Sequence, residues 1–259
     1  MNSRSYFMLV VLSLPLLLAE NTYAKSIKVM AYNVLYKSSA NKKTISTIRD
    51  SQADVVCLRE LTPKFIRQFN SNLGAVYKQK SFYARKGTWG VGIASKLKLT
   101  EVKYFRMRPY GIPAQSAIIH TARAKIMLVC IHLIPPVANQ GVKPFLTMIR
   151  DNNLIRIAQA KYLVARFSAV KMPVIILGDF NDWRSSESLK IFTRAHYQHA
   201  CGTGNNSSCG NTFPANDFKL PGVVEIDHIF GKGIKFIRGQ VFKRGGSDHY
   251  PVQAWIKTR

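Results

Sequence analysis

Acid is what this sequence lacks. Of 259 residues only 13 are Asp or Glu, against 38 Lys or Arg, for a formal net charge of +25. A protein so charged repels cationic partners and attracts polyanions: nucleic acid, anionic lipid head groups or the cell envelope. A proteome basic throughout would give the same figure with no bearing on substrate. Cysteine is scarce as well, four in all, and none has the spacing of a zinc site. No internal repeat, low-complexity tract or Pro/Ser linker interrupts the chain, which excludes a solenoid and argues for one domain. Beyond the first two dozen residues no stretch is long and apolar enough to cross a membrane as a helix.

Those first residues read as a leader. Arg4 gives a positive start, "MLVVLSLPLLLA" is a short apolar run broken by Pro15, and a small residue, Ala24, ends it. This is the pattern of a secretory signal peptide, with cleavage expected after Ala24 and a secreted or periplasmic destination. Residues 25–259 then form one domain, expected to be monomeric. The leader holds one base, Arg4, and one acid, Glu20, so the charge excess belongs to the mature chain. In an exported protein, Cys201 and Cys209 in the polar loop "CGTGNNSSCG" read as a local disulfide. Cys57 in "DVVCLRE" and Cys130 in "IMLVCIHL" sit inside apolar runs and are expected as buried thiols.

Strand-like and helix-like segments alternate. "IKVMAYNVLY", "ADVVCLREL", "VGIASKL", "VKYFRM", "AQSAIIHTA", "KIMLVCIHL", "PVIILGDFN", "VVEIDHIF" and "YPVQAWI" read as strands. "KKTISTIRDS" has helical spacing, and "PKFIRQFNSNL" opens on Pro63, favoured at the first position of a helix. Asp151 is the expected cap of the longest helix, with Leu154, Ile157, Ala158, Tyr162 and Ala165 on its inner face. A capped helix follows in "SSESLKIFTRA". Strands apolar on both faces, with helices between them, imply two sheets packed face to face with helices outside.

The few acids are not scattered. "VIILGDFNDW" puts Asp179 and Asp182 at the mouth of a buried strand, where a carboxylate needs a metal, a cation or a proton in transit. Glu60, Asp227 and Asp248 also fall at strand ends, as do His132, His228 and His249. Any one of these alone would be an ordinary surface or core residue; together they fit metal-assisted attack of water on phosphorus. A hard ion such as Mg²⁺, with Mn²⁺ as a substitute, takes carboxylate oxygens plus water and phosphate. Glu60 and Asp248 can supply the oxygens, with Asn33 beside them. Asp179 and Asn181, two apart on a strand, share a face, one to handle the water and the other a phosphate oxygen. A histidine beside a carboxylate is held charged and can stabilise a pentavalent phosphorane.

"AYNVLY", "CLREL", "IHL", "GDFND", "IDHIF" and "GSDHYPV", in this order, resemble the endonuclease/exonuclease/phosphatase superfamily, the fold of deoxyribonuclease I. The resemblance implies a four-layer α/β sandwich, two packed mixed β-sheets flanked by helices, with a Mg²⁺ site at one end. It implies Asn33, Glu60 and Asp248 on the metal side, and Asp179 and Asn181 at nucleophile and phosphate. It makes His249 the catalytic histidine with Asp227 its orienting partner, and sets His132 near the scissile phosphate. "NVLY", "ELTP", "HLIPP" and "TFPA" are similar to an exported branch linked to glycopeptide-antibiotic resistance, whose proposed substrates are envelope lipid phosphates. The expected activity is therefore exported, metal-dependent phosphodiester hydrolysis. Nucleic acid is favoured as substrate by the charge. Envelope lipid phosphates or pyrophosphates at an anionic membrane surface are the alternative, and a non-catalytic polyanion binder is a third reading.

Overall fold

The computed structural model describes residues 26–37, 42–137, 145–202, 208–215 and 222–257. The leader lies outside them. Among the described residues no helix is long and apolar enough to cross a membrane.

Among the described residues, twelve strands form two six-stranded sheets. The first holds β1 (Ile27–Asn33), β2 (Val55–Arg59), β3 (Gln79–Tyr83), β4 (Val91–Ser95), β11 (Lys235–Val241) and β12 (Val252–Lys257), in the order β11-β12-β1-β2-β4-β3. The second holds β5 (Leu99–Met107), β6 (Ile112–His120), β7 (Lys125–His132), β8 (Val174–Asp179), β9 (Gln198–His199) and β10 (Asp227–Lys232), in the order β5-β6-β7-β8-β10-β9. Each sheet is antiparallel except at its centre, where β1 runs parallel to β2 and β7 parallel to β8. The crossovers carry helices, α1 (Lys42–Ser51) in one and α3 (Phe145–Arg166) in the other. Outside them lie α2 (Pro63–Leu73) and α4 (Glu187–Arg194). Thr62 caps α2, its hydroxyl accepting the Phe65 N–H at 3.2 Å, and Pro63 takes the first helical position as expected.

Three apolar layers fill the four-layer sandwich. Alternation sends Val29, Ala31, Val55, Cys57, Leu128, Cys130, Ile175 and Leu177 into the space between the sheets. The opposite faces pack against helices: Met30, Val56 and Leu58 with α1 and α2, Val129, Ile131 and Ile176 with α3 and α4.

Two expectations are corrected here. Cys57 and Cys130 are not separate thiols. They face each other between the sheets with Cα atoms 5.4 Å apart, within disulfide reach, and are bonded. Two apolar strands read singly cannot reveal that their inward cysteines coincide. The second disulfide joins Cys201 to Cys209, as the loop composition implied. The long helix begins at Phe145 rather than at Asp151, and Leu154 is exposed. Its buried face carries Asn152, Arg156 and Gln159 beside Ile155 and Leu163. Asn152 donates to the Pro136 carbonyl, Gln159 accepts the Ile134 N–H, and Arg156 pairs with Asp182 at 3.1 Å. These polar side chains fasten the segment after β7, so apolar periodicity pointed to the wrong face.

Candidate active site

The inward rows of five strands all end in polar groups at one end of the molecule. Two residues beyond the last inward apolar side chain stand Asn33 on β1, Arg59 on β2, His132 on β7 and Asp179 on β8; Asp227 opens β10. Register sets Asn33 opposite Arg59, and aligns His132, Asp179 and Asp227 across three neighbouring strands. Gly178 makes the last alignment tight, because a Cβ there would meet the Ile131 carbonyl oxygen at 2.1 Å. β12 is antiparallel to β1, so the turn before it delivers Asp248 and His249 to the same end. The Ser247 hydroxyl donates to the Asn33 carbonyl at 2.7 Å and fixes that turn.

Asn33 and Asp179 connect the two sheets. The Asn33 amide donates to Glu60 Oε1 at 3.0 Å and to Asp179 Oδ2 at 3.1 Å. Glu60 Oε2 accepts the Tyr36 N–H at 2.9 Å. Asp179 Oδ2 also lies 3.4 Å from His132 Nε2 and 3.8 Å from His249 Nε2. His249 Nδ1 donates to Asp227 Oδ2 at 2.8 Å, and Asp179, Asp227 and His249 present ligand-type atoms within 4.8 Å of one another. Glu60 and Asn181 hold φ of 60° and 50° without being glycine, and Leu35 after Asn33 holds 55°. Such left-handed residues cost energy and cluster at functional sites. Trp89 packs against His132 and Phe213 against His249, walling the site with aromatic rings.

Electrostatics separates the two imidazoles. Burial alone would push His249 down, but Asp227, Asp179 and Asp248 together hold it up at about 10, so it is cationic at neutral pH. Burial pushes His132 down and Asp179 opposes it only in part, leaving that ring neutral. Asp179 stays ionised: burial would raise it, and His249, His132, Arg59 and the Asn33 amide outweigh burial. Burial lifts the half-buried Asp248 above the usual carboxylate range, with the Asp179 charge adding to the rise.

Three site expectations change in detail. β8 ends at Asp179, so Asn181 does not share its face by strand alternation; its backbone N–H bonds Asp179 Oδ1 at 2.9 Å in a tight turn. The Asn181 amide donates to the Leu133 carbonyl at 3.0 Å, and Phe180 is buried against the helices. Asp182 is no site residue. It takes Arg156 and the Ser188 hydroxyl and so braces α3 and α4. His228 points away from Asp227, as its neighbour on a strand must, and bonds His199 instead.

Arg59 joins the site from beyond the residues that the motifs name. It is fully buried beneath the site with Nη2 3.7 Å from Asp227 Oδ1, and its Nη1 donates to the Cys57 sulfur at 2.6 Å. Burial pushes its guanidinium down, and Asp227, Asp179 and Glu60 draw it back up. The signal was present: in "VVCLRE" it stands two after Cys57, on the inward face, where an unpaired charge cannot stay.

Two mixed sheets flanked by helices, with acids and imidazoles gathered at one end, define an α/β sandwich that carries a polar site at that end. The model of the Endonuclease/Exonuclease/phosphatase family matches residues 30–249, and the chain belongs to that family. It is a family of hydrolytic phosphoesterases, nucleases and phosphatases among them, typically dependent on a divalent metal. A conserved protein of unknown function from Enterococcus faecalis V583 superposes with a TM-score of 0.69 at 17% identity, covering 90% of this chain and 100% of that one. The human Nocturnin catalytic domain, solved with a bound sulfate anion, gives 0.68 at 17% identity, covering 90% and 95%. Humanized D. rerio TDP2 gives 0.67 at 16%, covering 90% and 99%. At these identities the likeness is one of fold. Among curated protein sequences, none matches this chain.

Proposed function

We propose that this protein is an exported, metal-dependent phosphodiesterase whose preferred substrate is nucleic acid. The observation that carries the reading is the junction at Asp179, an ionised carboxylate in reach of one cationic and one neutral imidazole. Glu60, Asp248 and Asn33 offer hard oxygen donors with no thiolate among them, the set that suits Mg²⁺ or Mn²⁺. Bound there, such a cation neutralises phosphate charge and lowers the pKa of water.

The chain's own groups divide the remaining work. Asp179 orients the attacking water and accepts its proton, and the Asn33 amide fixes which oxygen does so. Asn181, held by Leu133 through one amide N–H, presents its second N–H to a phosphate oxygen. His249, kept charged and oriented by Asp227, stabilises charge that grows on the phosphorus oxygens or the leaving group. Neutral His132 donates a hydrogen bond near the scissile phosphate without adding charge.

Substrate preference rests on the net charge of +25. Exposed Val137, Phe145, Leu146 and Trp183, in the segments that follow β7 and β8, favour the second reading, a lipid phosphate at an anionic membrane. The deciding experiment offers the purified chain with Mg²⁺ or Mn²⁺ plasmid DNA, RNA, a bis-aryl phosphodiester, an aryl phosphomonoester and a polyprenyl pyrophosphate. Nucleic-acid binding should weaken steeply with salt, with a log–log slope of about −0.9 per phosphate contact on duplex DNA. Cleavage should fall in parallel while the small diester stays nearly indifferent to salt. Undetectable DNA and RNA cleavage at low salt, alongside turnover of the pyrophosphate, would replace the nuclease by an envelope phosphatase.

A further inference from the structure

Away from the acid cluster, the open edge of the sandwich holds groups that the hydrolytic chemistry does not use. β9 closes one sheet and β11 the other, and a cavity of about 730 Å³ opens between them, lined by His199, Cys201, Ser208, Lys235, Phe236 and Arg238 among others. Two of its lining residues, His199 and Cys201, and Glu225 beside them bring ligand atoms within 4.8 Å of one another. Cys209 adjoins the group: its sulfur is bonded to that of Cys201 and its N–H donates to Glu225 Oε1 at 3.1 Å. His199 and Glu225 are buried and Cys201 half-buried.

The hydrogen bonds beneath this group fix its tautomers. A carbonyl oxygen only accepts, so the Asp182 carbonyl, 2.9 Å from His228 Nε2, takes the N–H of that ring. His228 Nδ1 then carries a lone pair and accepts from His199 Nε2 at 3.0 Å. His199 Nδ1 is left unprotonated, on the side of the Cys201 backbone, whose N–H reaches it at 3.3 Å. A neutral imidazole with one nitrogen bonded to a supporting group and the other unprotonated, here accepting the Cys201 N–H that a metal would displace, is the form in which histidine binds metals.

We propose that His199, Cys201, Cys209 and Glu225 form a second, redox-gated site for a thiophilic divalent cation of the Zn²⁺ class. In the disulfide form only the imidazole and the carboxylate are offered, and the site is closed. Two equivalents of a monothiol open it, giving two cysteine thiols and one external disulfide. Binding of Zn²⁺ then releases both thiol protons to water, leaving the ion between two thiolates, His199 Nδ1 and a Glu225 oxygen. Two sulfurs, one nitrogen and one oxygen are all zinc donors and make up a tetrahedral four. The cavity supplies the route of entry. Nothing in this depends on the phosphodiesterase reading.

Cobalt(II) reports on the site without recourse to activity, because thiolate-to-cobalt charge transfer absorbs in the near ultraviolet and the acid cluster holds no thiolate. The full-length chain is reduced with excess monothiol, desalted without oxygen and titrated with Co²⁺. One equivalent should develop the band, and one of Zn²⁺ should bleach it. The oxidised protein and the Cys201→Ser/Cys209→Ser variant treated with the same reductant should show none. His228→Gln keeps all four ligands but breaks the relay, and should weaken binding about 10–100-fold. His199→Gln should abolish the band at equimolar metal, and Glu225→Gln makes the same comparison if that variant does not fold. A reduced protein without the band overturns the proposal. So does a band unaffected by His199→Gln or Glu225→Gln, or one that survives in the double serine variant.

Discussion

Removing the Cys57–Cys130 bond tests whether the sheets are held together where the site is built. The two cysteines lie 73 residues apart in sequence. In the chain-entropy model a loop of that size restricts the unfolded state by about 15 cal/mol/K, or about 4.4 kcal/mol at 25 °C. The Cys201–Cys209 bond, with a separation of 8, contributes about 2.5 kcal/mol in the same model. Cys57→Ala/Cys130→Ala should therefore lose about 4.4 kcal/mol of unfolding free energy in urea. It should melt roughly 9–18 °C lower, at about 2–4 °C per kcal/mol for a domain of this size. The lost sulfurs add to this, because Arg59 donates to Cys57 inside the core. Cys201→Ala/Cys209→Ala should lose clearly less. The bond also joins β2, which leads into Glu60, to β7, which ends in His132, so hydrolysis should fall with stability in the first variant alone. A loss below about 2 kcal/mol, or equal losses from the two pairs, would refute the reasoning.

Other outcomes follow from the site. Glu60→Gln should abolish metal-stimulated hydrolysis while the fold survives; full activity in that variant, or with excess chelator, contradicts the metal requirement. His249, held up at about 10 against an unfolded value near 6.5, favours the folded state fully below pH ~6.5 and progressively less as pH rises through about 10. In the metal-free protein its ring proton resonance should therefore stay flat from pH 5 to 9 in NMR, and Asp227→Asn should bring its titration down into that range; a wild-type midpoint between 6 and 7 would be decisive against it. Native protein alkylated without reductant should label none of its four cysteines, and all four after unfolding and reduction; any native labelling removes one of the two disulfides.

The particular residues divide by what they needed. Asp179, Asp227 and His249 could be read in one dimension, because each sits where an apolar period-2 run stops, and buried strands announce their ends. Cys201 and Cys209 could be paired because a short polar loop leaves them few other partners. Arg59 carries its signal in its inward parity, two residues after Cys57. The face of α3 was beyond reach, since its buried Arg156 is tolerated only because Asp182, 26 residues on, lies against it. Cys57 with Cys130, and His199 with His228, meet only when two sheets are stacked and β9 is laid beside β10.

The sequence alone thus determined the alternation of elements, the two-sheet sandwich and the end of it where acid collects, because hydrophobic period and strand termini are local properties. Which carboxylate faces which imidazole, which ring is charged, and which cysteines join were decided by tertiary structure. Those depend on register and on distances of 3–4 Å between strands far apart in the chain, and on the desolvation that only burial brings.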